Sequence, residues 1–231
     1  MYRKAIKTTH FRKTRCNDCC EQNTEHGTLF FTSFTLLKIK MMHADYILDQ
    51  EFRDQTFDDT NTKFKDFENC TFYNCDFRQC TFQTVTFIDS NFFDCNFTDT
   101  KINYVSLRGV FFTKCNFTNV NFAMTDQMLY EFHFKDCLLD YAKFYALKMK
   151  KMQFINCSLI AADFMGSDLT EVLFDNCNLR RAVFIDTIAN KADFSTSYDY
   201  AFDPDKNKIK KAIFSQEGLR GLLEKYDIVV K

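Results

Sequence analysis

A bulky apolar residue recurs every five positions through more than half of the chain. It stands at Phe67, Phe72, Phe77, Phe82, Phe87, Phe92, Phe97, Ile102, Leu107, Phe112, Phe117 and Phe122, twelve in a row without a miss. A two-residue slip follows within VNFAMTDQMLYEF, residues 120–132, around Met124 to Gln127. The series then resumes at Leu129, Phe134, Leu139, Phe144, Met149, Phe154, Leu159, Phe164, Leu169, Phe174, Leu179, Phe184, Ala189 and Phe194, fourteen more. Neither the helical period of about 3.6 nor the strand period of about 2 divides five, so either element would scatter these side chains over both of its faces. The backbone must turn once per repeat.

Two positions before most centres sits a smaller residue, mostly Cys, Ala, Val, Ser or Thr, as expected if both side chains point inward and share a narrow interior. The cysteines add a longer rhythm. Cys75, Cys95 and Cys115 are twenty apart, as are Cys137, Cys157 and Cys177, and Ala142, Ala162 and Ala182 repeat at the same interval. Four pentapeptides therefore make one coil, and residues twenty apart stack. The 26 centres divide into 6.5 coils, which at about 4.8 Å per coil gives a rod roughly 31 Å long.

Over Phe67 to Phe194 this pattern resembles the pentapeptide repeat family, whose unit is [STAV][DN][LF]xx. The resemblance implies an all-β fold, a right-handed quadrilateral β-helix. One column of its core is expected to be Phe72, Phe92, Phe112, Phe134, Phe154 and Phe174, continuing to Phe194, ring on ring. The Cys75, Cys95, Cys115, Cys137, Cys157 and Cys177 column is read as packing, because buried free cysteine behaves as a small hydrophobe. A structural disulfide or a metal column is the competing reading of ENCTFYNCDFRQCTF, where Cys70, Cys75 and Cys80 lie on successive sides of one coil. Eleven cysteines, an odd number in a chain too large to need disulfide staples, favour free thiols and a cytoplasmic setting.

The ends read as covers for exposed strand edges. Residues 1–41 carry 8 Lys/Arg against 3 Asp/Glu and are expected to be disordered or mis-assigned. Their apolar run, Leu29 to Ile39, follows a basic stretch as in a secretory signal, but lacks the usual cleavage site and is too short to span a bilayer. CNDCC, with His10 and His26 nearby, is a weak zinc pattern. Residues 42–66 are expected to cap the N-terminal end, keeping Phe52 and Phe57 in phase, and 67–196 to form the β-helix. Residues 197–231 are expected to be a C-terminal cap, with Pro204 ending the repeat and Ser215 opening a helix. Leu219, Leu222, Leu223 and Tyr226 fall on one face of that helix, and DIVVK reads as a terminal strand. The segment is either an intramolecular cap or a homodimer seam, the second being what the resemblance to gyrase-protecting pentapeptide proteins implies.

Catalytic chemistry is hard to place. Only His43 and His133 lie beyond the N-terminal segment, and the five glycines form no phosphate-binding loop. Asp163 and Asp168 are outward repeat residues on adjoining sides rather than a carboxylate pair. No enzyme activity, cofactor or metal is expected. From Phe67 to Phe202 there are 16 Asp/Glu against 12 Lys/Arg, a modest acid excess that argues against direct nucleic acid binding. The resemblance implies a protein partner: a rod that mimics DNA, binds DNA gyrase or topoisomerase IV and protects it from quinolones. A structural scaffold for another protein is the alternative.

Overall fold

The computed structural model describes residues 45–128 and 130–229. The CNDCC segment, the apolar run from Leu29, the slip residue Leu129 and the last two residues lie outside them. From Asp45 onward the chain winds into coils whose strands pair in parallel with the coil before and the coil after.

The first side is a four-stranded sheet of β1 (Asp45–Leu48), β3 (Lys65–Glu68), β5 (Thr86–Ile88) and β7 (Ser106–Arg108), paired in that order. The second side is seven-stranded: β2 (Glu51–Arg53), β4 (Thr71–Tyr73), β6 (Asn91–Phe93), β8 (Val110–Thr113), β9 (Phe132–Lys135), β10 (Gln153–Ile155) and β11 (Leu173–Asp175). The register is the twenty-residue repeat itself: Phe52 lies against Phe72, Phe72 against Phe92 and Phe92 against Phe112. Across the slip Phe112 meets Phe134, so the two extra residues are absorbed without losing the column. The third and fourth sides are held by single bridges, such as Asp76 to Asn96 and Lys143 to Asp163. The result is a parallel β-solenoid with one short C-terminal helix.

Turning every fifth residue requires a left-handed backbone at the corner. Gln79, Asn74, Asp94 and Asn119 have φ of 59°, 50°, 55° and 63°. Many corners close with a hydrogen bond of type II geometry, which demands positive φ at its third residue. At one of them the Cys80 N–H donates to the Phe77 carbonyl over 3.1 Å, with Gln79 at that third position. Asn and Asp tolerate this conformation better than other side chains, which explains their recurrence two residues after the centre.

Inside, the aromatic column is continuous. Ring centroids are 4.5 Å apart for Phe72 and Phe92, 5.3 Å for Phe112 and Phe134, 5.0 Å for Phe154 and Phe174, and 4.9 Å for Phe174 and Phe194. Neighbouring sides meet edge to face, as between Phe72 and Phe77 at 5.8 Å, so each ring gains both favoured aromatic geometries. The slip is accommodated by a ring in an unusual place. Phe132 is buried two positions before Phe134, where other coils hold Ser90, Val110 or Met152, and it stacks on Phe122 at 5.7 Å.

The N-terminal coil replaces its fourth side with a one-turn helix, α1 (Asp59–Thr62). The Asp58 carboxylate accepts from the Thr60 and Asn61 N–H groups while the Asn61 side chain returns a bond to the Asp58 N–H, a reciprocal cap. At the other end the rungs run on past residue 196, through bridges from Ile188 to Lys208 and Asp193 to Ile213. Phe214 stacks on Phe194 at 5.3 Å. Pro204 does not end the repeat, because Phe202 fills the place below Phe184, 4.5 Å away.

The C-terminal helix α2 (Leu219–Leu223) is short and lies directly on this last coil. The Gly221 carbonyl accepts the Phe202 N–H at 2.9 Å. A Cβ on Gly221 would lie 1.9 Å from the Tyr200 carbonyl oxygen, so only glycine permits the approach. Ser215 does not open the helix as expected: α2 is preceded by Gly218 with no side-chain cap, and the Ser215 hydroxyl accepts the Gly218 N–H at 2.9 Å within the turn before it. The expected terminal strand is not formed among the described residues: Asp227 turns left-handed with φ 48°, and Ile228 and Val229 are exposed.

Candidate interaction surface

The inward side chains leave no reactive group at the surface of the bore. Cys70, Cys75, Cys80, Cys95, Cys115, Cys137, Cys157 and Cys177 are free and buried. Along the long column each thiol faces backbone carbonyls: Cys115 donates to Phe92 at 3.5 Å and to Thr113 at 3.4 Å, and Cys177 to Phe154 at 3.3 Å. Burial pushes the Cys115 and Cys70 thiols up, and Cys80 up to about 11. Such thiols are poor nucleophiles, since the thiolate is the reactive form. No three His, Cys, Asp or Glu side chains converge to hold a metal among the described residues.

Outward carboxylates are tied to their own turns. Asp163 accepts the Met165 N–H at 2.9 Å, and Asp168 accepts from Thr170 N–H and hydroxyl at 3.1 and 2.6 Å while Lys150 approaches to 3.2 Å. At the corners that precede the cysteine column, side chains of successive coils are bonded at the upper and lower ends. Asn74 donates to Asp54 at 2.7 Å, Asn156 to Asp136 at 2.9 Å and Asn176 to Asn156 at 3.0 Å. These residues are explained by the left-handed turns they make.

The fourth side departs from this economy. Tyr145, Met165 and Ile185, twenty residues apart and each one past a buried Phe, are exposed and form an apolar stripe. Beside Tyr145 and Met165 the corners carry Ala146 and Gly166, with φ of 57° and 67°, whereas Asp186 follows Ile185 with φ 54°. Alanine gains nothing from a left-handed corner, so its presence there flattens the stripe at some conformational cost. The stripe leads into a groove of about 380 Å³ between the last rungs and the C-terminal segment, with Val183, Ile185, Phe202 and Leu222 on its walls and Asp203, Lys206 and Lys225 at its rim. Lys225 is pinned between Asp203, at 2.7 Å, and Asp205. The signal was present in the sequence as an outward apolar column one residue after the centres.

Of the helix residues singled out from the sequence, Leu222 packs against the core, whereas Leu219, Leu223 and Tyr226 are exposed. Among the described residues no helix is long and apolar enough to cross a membrane.

A parallel solenoid with a five-residue side and a filled bore defines a repeat protein whose chemistry lies on its outer faces. The chain matches the Pentapeptide repeat region family over residues 105–184 and the Pentapeptide repeats (8 copies) family over 66–99. It belongs to the pentapeptide repeat family. No curated protein sequence matches it. Among solved structures it is similar to a trypsin-treated variant of QnrB1, a plasmid-mediated fluoroquinolone resistance protein, at 19% identity and a TM-score of 0.54, covering 81% of this chain and 99% of that one. A second trypsin-treated QnrB1 variant is 18% identical with a TM-score of 0.47, covering 80% and 100%. HetL from Nostoc sp. strain PCC 7120, a pentapeptide repeat protein involved in heterocyst differentiation regulation, is 11% identical with a TM-score of 0.35, covering 78% and 91%.

Proposed function

We propose that this protein is a non-enzymatic, cytoplasmic binding protein whose solenoid occupies a type II topoisomerase, DNA gyrase or topoisomerase IV, in the manner of a DNA duplex and shields it from quinolones. One observation carries the reading. The rings at the repeat centres and the described thiols are turned into the bore, so the stacked outer faces are what a partner meets. The fold shared with QnrB1 supports the choice of partner. The acid excess of 16 against 12 between Phe67 and Phe202 has the right sign for a cationic DNA-binding groove. The test is twofold: purified full-length chain should bind gyrase or topoisomerase IV, and its expression should raise the quinolone concentration that stops growth. Absence of both removes the proposal.

A scaffold for a different protein is the second reading, and the Tyr145, Met165 and Ile185 stripe favours it, because an apolar centre with a charged rim is ordinary protein-interface anatomy. Substituting Met165→Lys should abolish such binding while leaving topoisomerase binding through acidic faces intact. We also place a homodimer seam on Leu219, Leu223 and Tyr226, the outward residues of the terminal helix and the turn after it. Replacing Leu219 and Leu223 by serine should leave a monomer if that seam operates.

A further inference from the structure

The first side of the solenoid is electrically polarised along its length. The slip rung, with Met128, has four rungs above it, β1, β3, β5 and β7. Four lie below it, linked by bridges from Lys148 to Asp168, Asp168 to Ile188 and Ile188 to Lys208. Above the slip this side carries Asp45, Asp49, Asp66, Glu68 and Asp89 against Lys65 and Arg108, a balance of 2 − 5 = −3. Below it stand two lysine triplets, at 148, 150 and 151 and at 208, 210 and 211, together with Lys191. Against Asp168 and Glu171 these seven give 7 − 2 = +5. All seven lysines are exposed. Lys150, Lys151 and Lys191 are neutralised by the two acids on their own side, at 3.2, 3.9 and 2.7 Å. The lowest triplet has no acid opposite it on this side.

The midpoint is apolar. Met128 is 72% exposed, the highest value among the large apolar residues of this side. It is held out by a built turn rather than by slack chain: the Asp126 carboxylate accepts the Met128 N–H at 3.0 Å and the Ser106 hydroxyl at 2.7 Å. The two-residue insertion thus produces a projecting apolar side chain halfway between an acidic and a basic end.

From this arrangement we infer that the first side pairs with the first side of a second copy, antiparallel, about a two-fold axis through the Met128 rung. A two-fold operation of that kind lays each acidic end on the partner's basic end and each Met128 near its counterpart, so the patch is complementary to itself. A foreign polyanion would use only the lower half and leave the acidic half unexplained. The pairing face is long and narrow, and its charges are exposed, so association is weak and sensitive to salt. This interface is separate from the terminal-helix seam and from any topoisomerase-binding face.

The test is sedimentation velocity of the full chain in about 0.05 M and about 0.5 M salt, with the apparent dissociation constant rising on the order of tenfold between them. Two charge-reversed proteins are then compared: Lys208→Glu with Lys210→Glu and Lys211→Glu, and Asp45→Lys with Asp49→Lys and Glu68→Lys. Each should be monomeric alone, having like charge at both ends. Mixed in equal amounts they should associate again, because one is acidic throughout and the other basic throughout. Recovery on mixing also shows that both variants fold. Leu219→Ser with Leu223→Ser should leave this association in place. The inference is overturned if the wild-type chain is monomeric in low salt at concentrations on the order of 0.1 mM, if the mixture does not associate, or if only the terminal-helix variants abolish pairing. It is overturned too if the basic variant alone gains and the acidic variant alone loses binding to polyphosphate while neither changes self-association.

Discussion

Above the slip the first side is a four-stranded sheet; below it the same side is a stack of single bridges. Below, each corner closes on itself, with Met152, Val172 and Ala192 N–H groups donating to Met149, Leu169 and Ala189 at 3.2, 3.1 and 3.2 Å. Above, the Cys70 N–H instead reaches the Ser90 hydroxyl of the next coil at 3.2 Å. The centres also differ, Phe67, Phe87 and Leu107 against Met149, Leu169 and Ala189. Both halves nonetheless keep the twenty-residue register. A period of five dictates which side chains point in and where φ is positive. It leaves the corner hydrogen bonds, the bore volume and the outward charges free to diverge, and that freedom is where the two halves of the first side acquire opposite charge.

The comparison is broken most severely where the halves join. Phe134 is buried and packs its ring against Phe112, Phe122 and Phe154 at 5.3, 5.4 and 5.4 Å. Phe134→Ala should cost about 3–5 kcal/mol, measured by urea unfolding, and should lower the unfolding midpoint of both halves if they fold as one unit. Resolution into two transitions would show that they do not.

The corner glycines sharpen the contrast. A Cβ on Gly109, in the upper half, would lie 2.4 Å from the Asp89 carboxylate, whereas Gly166, in the lower half, has nothing closer than the Ala146 nitrogen at 4.0 Å. Both have left-handed φ. Gly109→Ala should therefore lose about 1–3 kcal/mol through crowding as well as conformation, and Asp89→Ala in the same chain should recover part of it. Gly166→Ala should lose only about 1 kcal/mol. Equal losses would mean that contacts between coils do not discriminate the corners.

The smallest effect is a gain. Ala161 sits at a left-handed corner of the lower half with φ 55°, where Asn is more readily accommodated. Ala161→Asn should stabilise by about 0.5 kcal/mol, seen as a modest rise in the thermal midpoint. No change or a loss would show that Ala161 makes a compensating contact.

The coil and its core were legible in the sequence because Phe, Leu and Cys recur at five and twenty, while its hand was only what the family resemblance implied. Three features were not. The ring at Phe132 fills a position that elsewhere holds small residues, and nothing in a five-residue tally distinguishes it from the centres on either side. The C-terminal rungs were hidden by polar DPDKNK, although Ile209 and Phe214 stand twenty after Ala189 and Phe194. The helical pattern of Leu219, Leu222, Leu223 and Tyr226 was genuine, yet α2 is brief because Gly221 is committed to Tyr200 and Phe202. As for the surface, the Asn and Asp side chains at the corners are mostly turn chemistry. The stripe of Tyr145, Met165 and Ile185 and the charge polarity of the first side emerge only once residues are sorted by coil.

The account depends on sulfur lying inside the coils along their axis. Native full-length protein treated with a thiol reagent and mapped by mass spectrometry tests this directly. Cys95, Cys115 and Cys157 should stay unmodified until denaturant is added and then react completely, as thiols released from a filled bore must. Rapid labelling of these three in the folded protein would mean that the column faces solvent, and the assignment of inner and outer faces would be reversed.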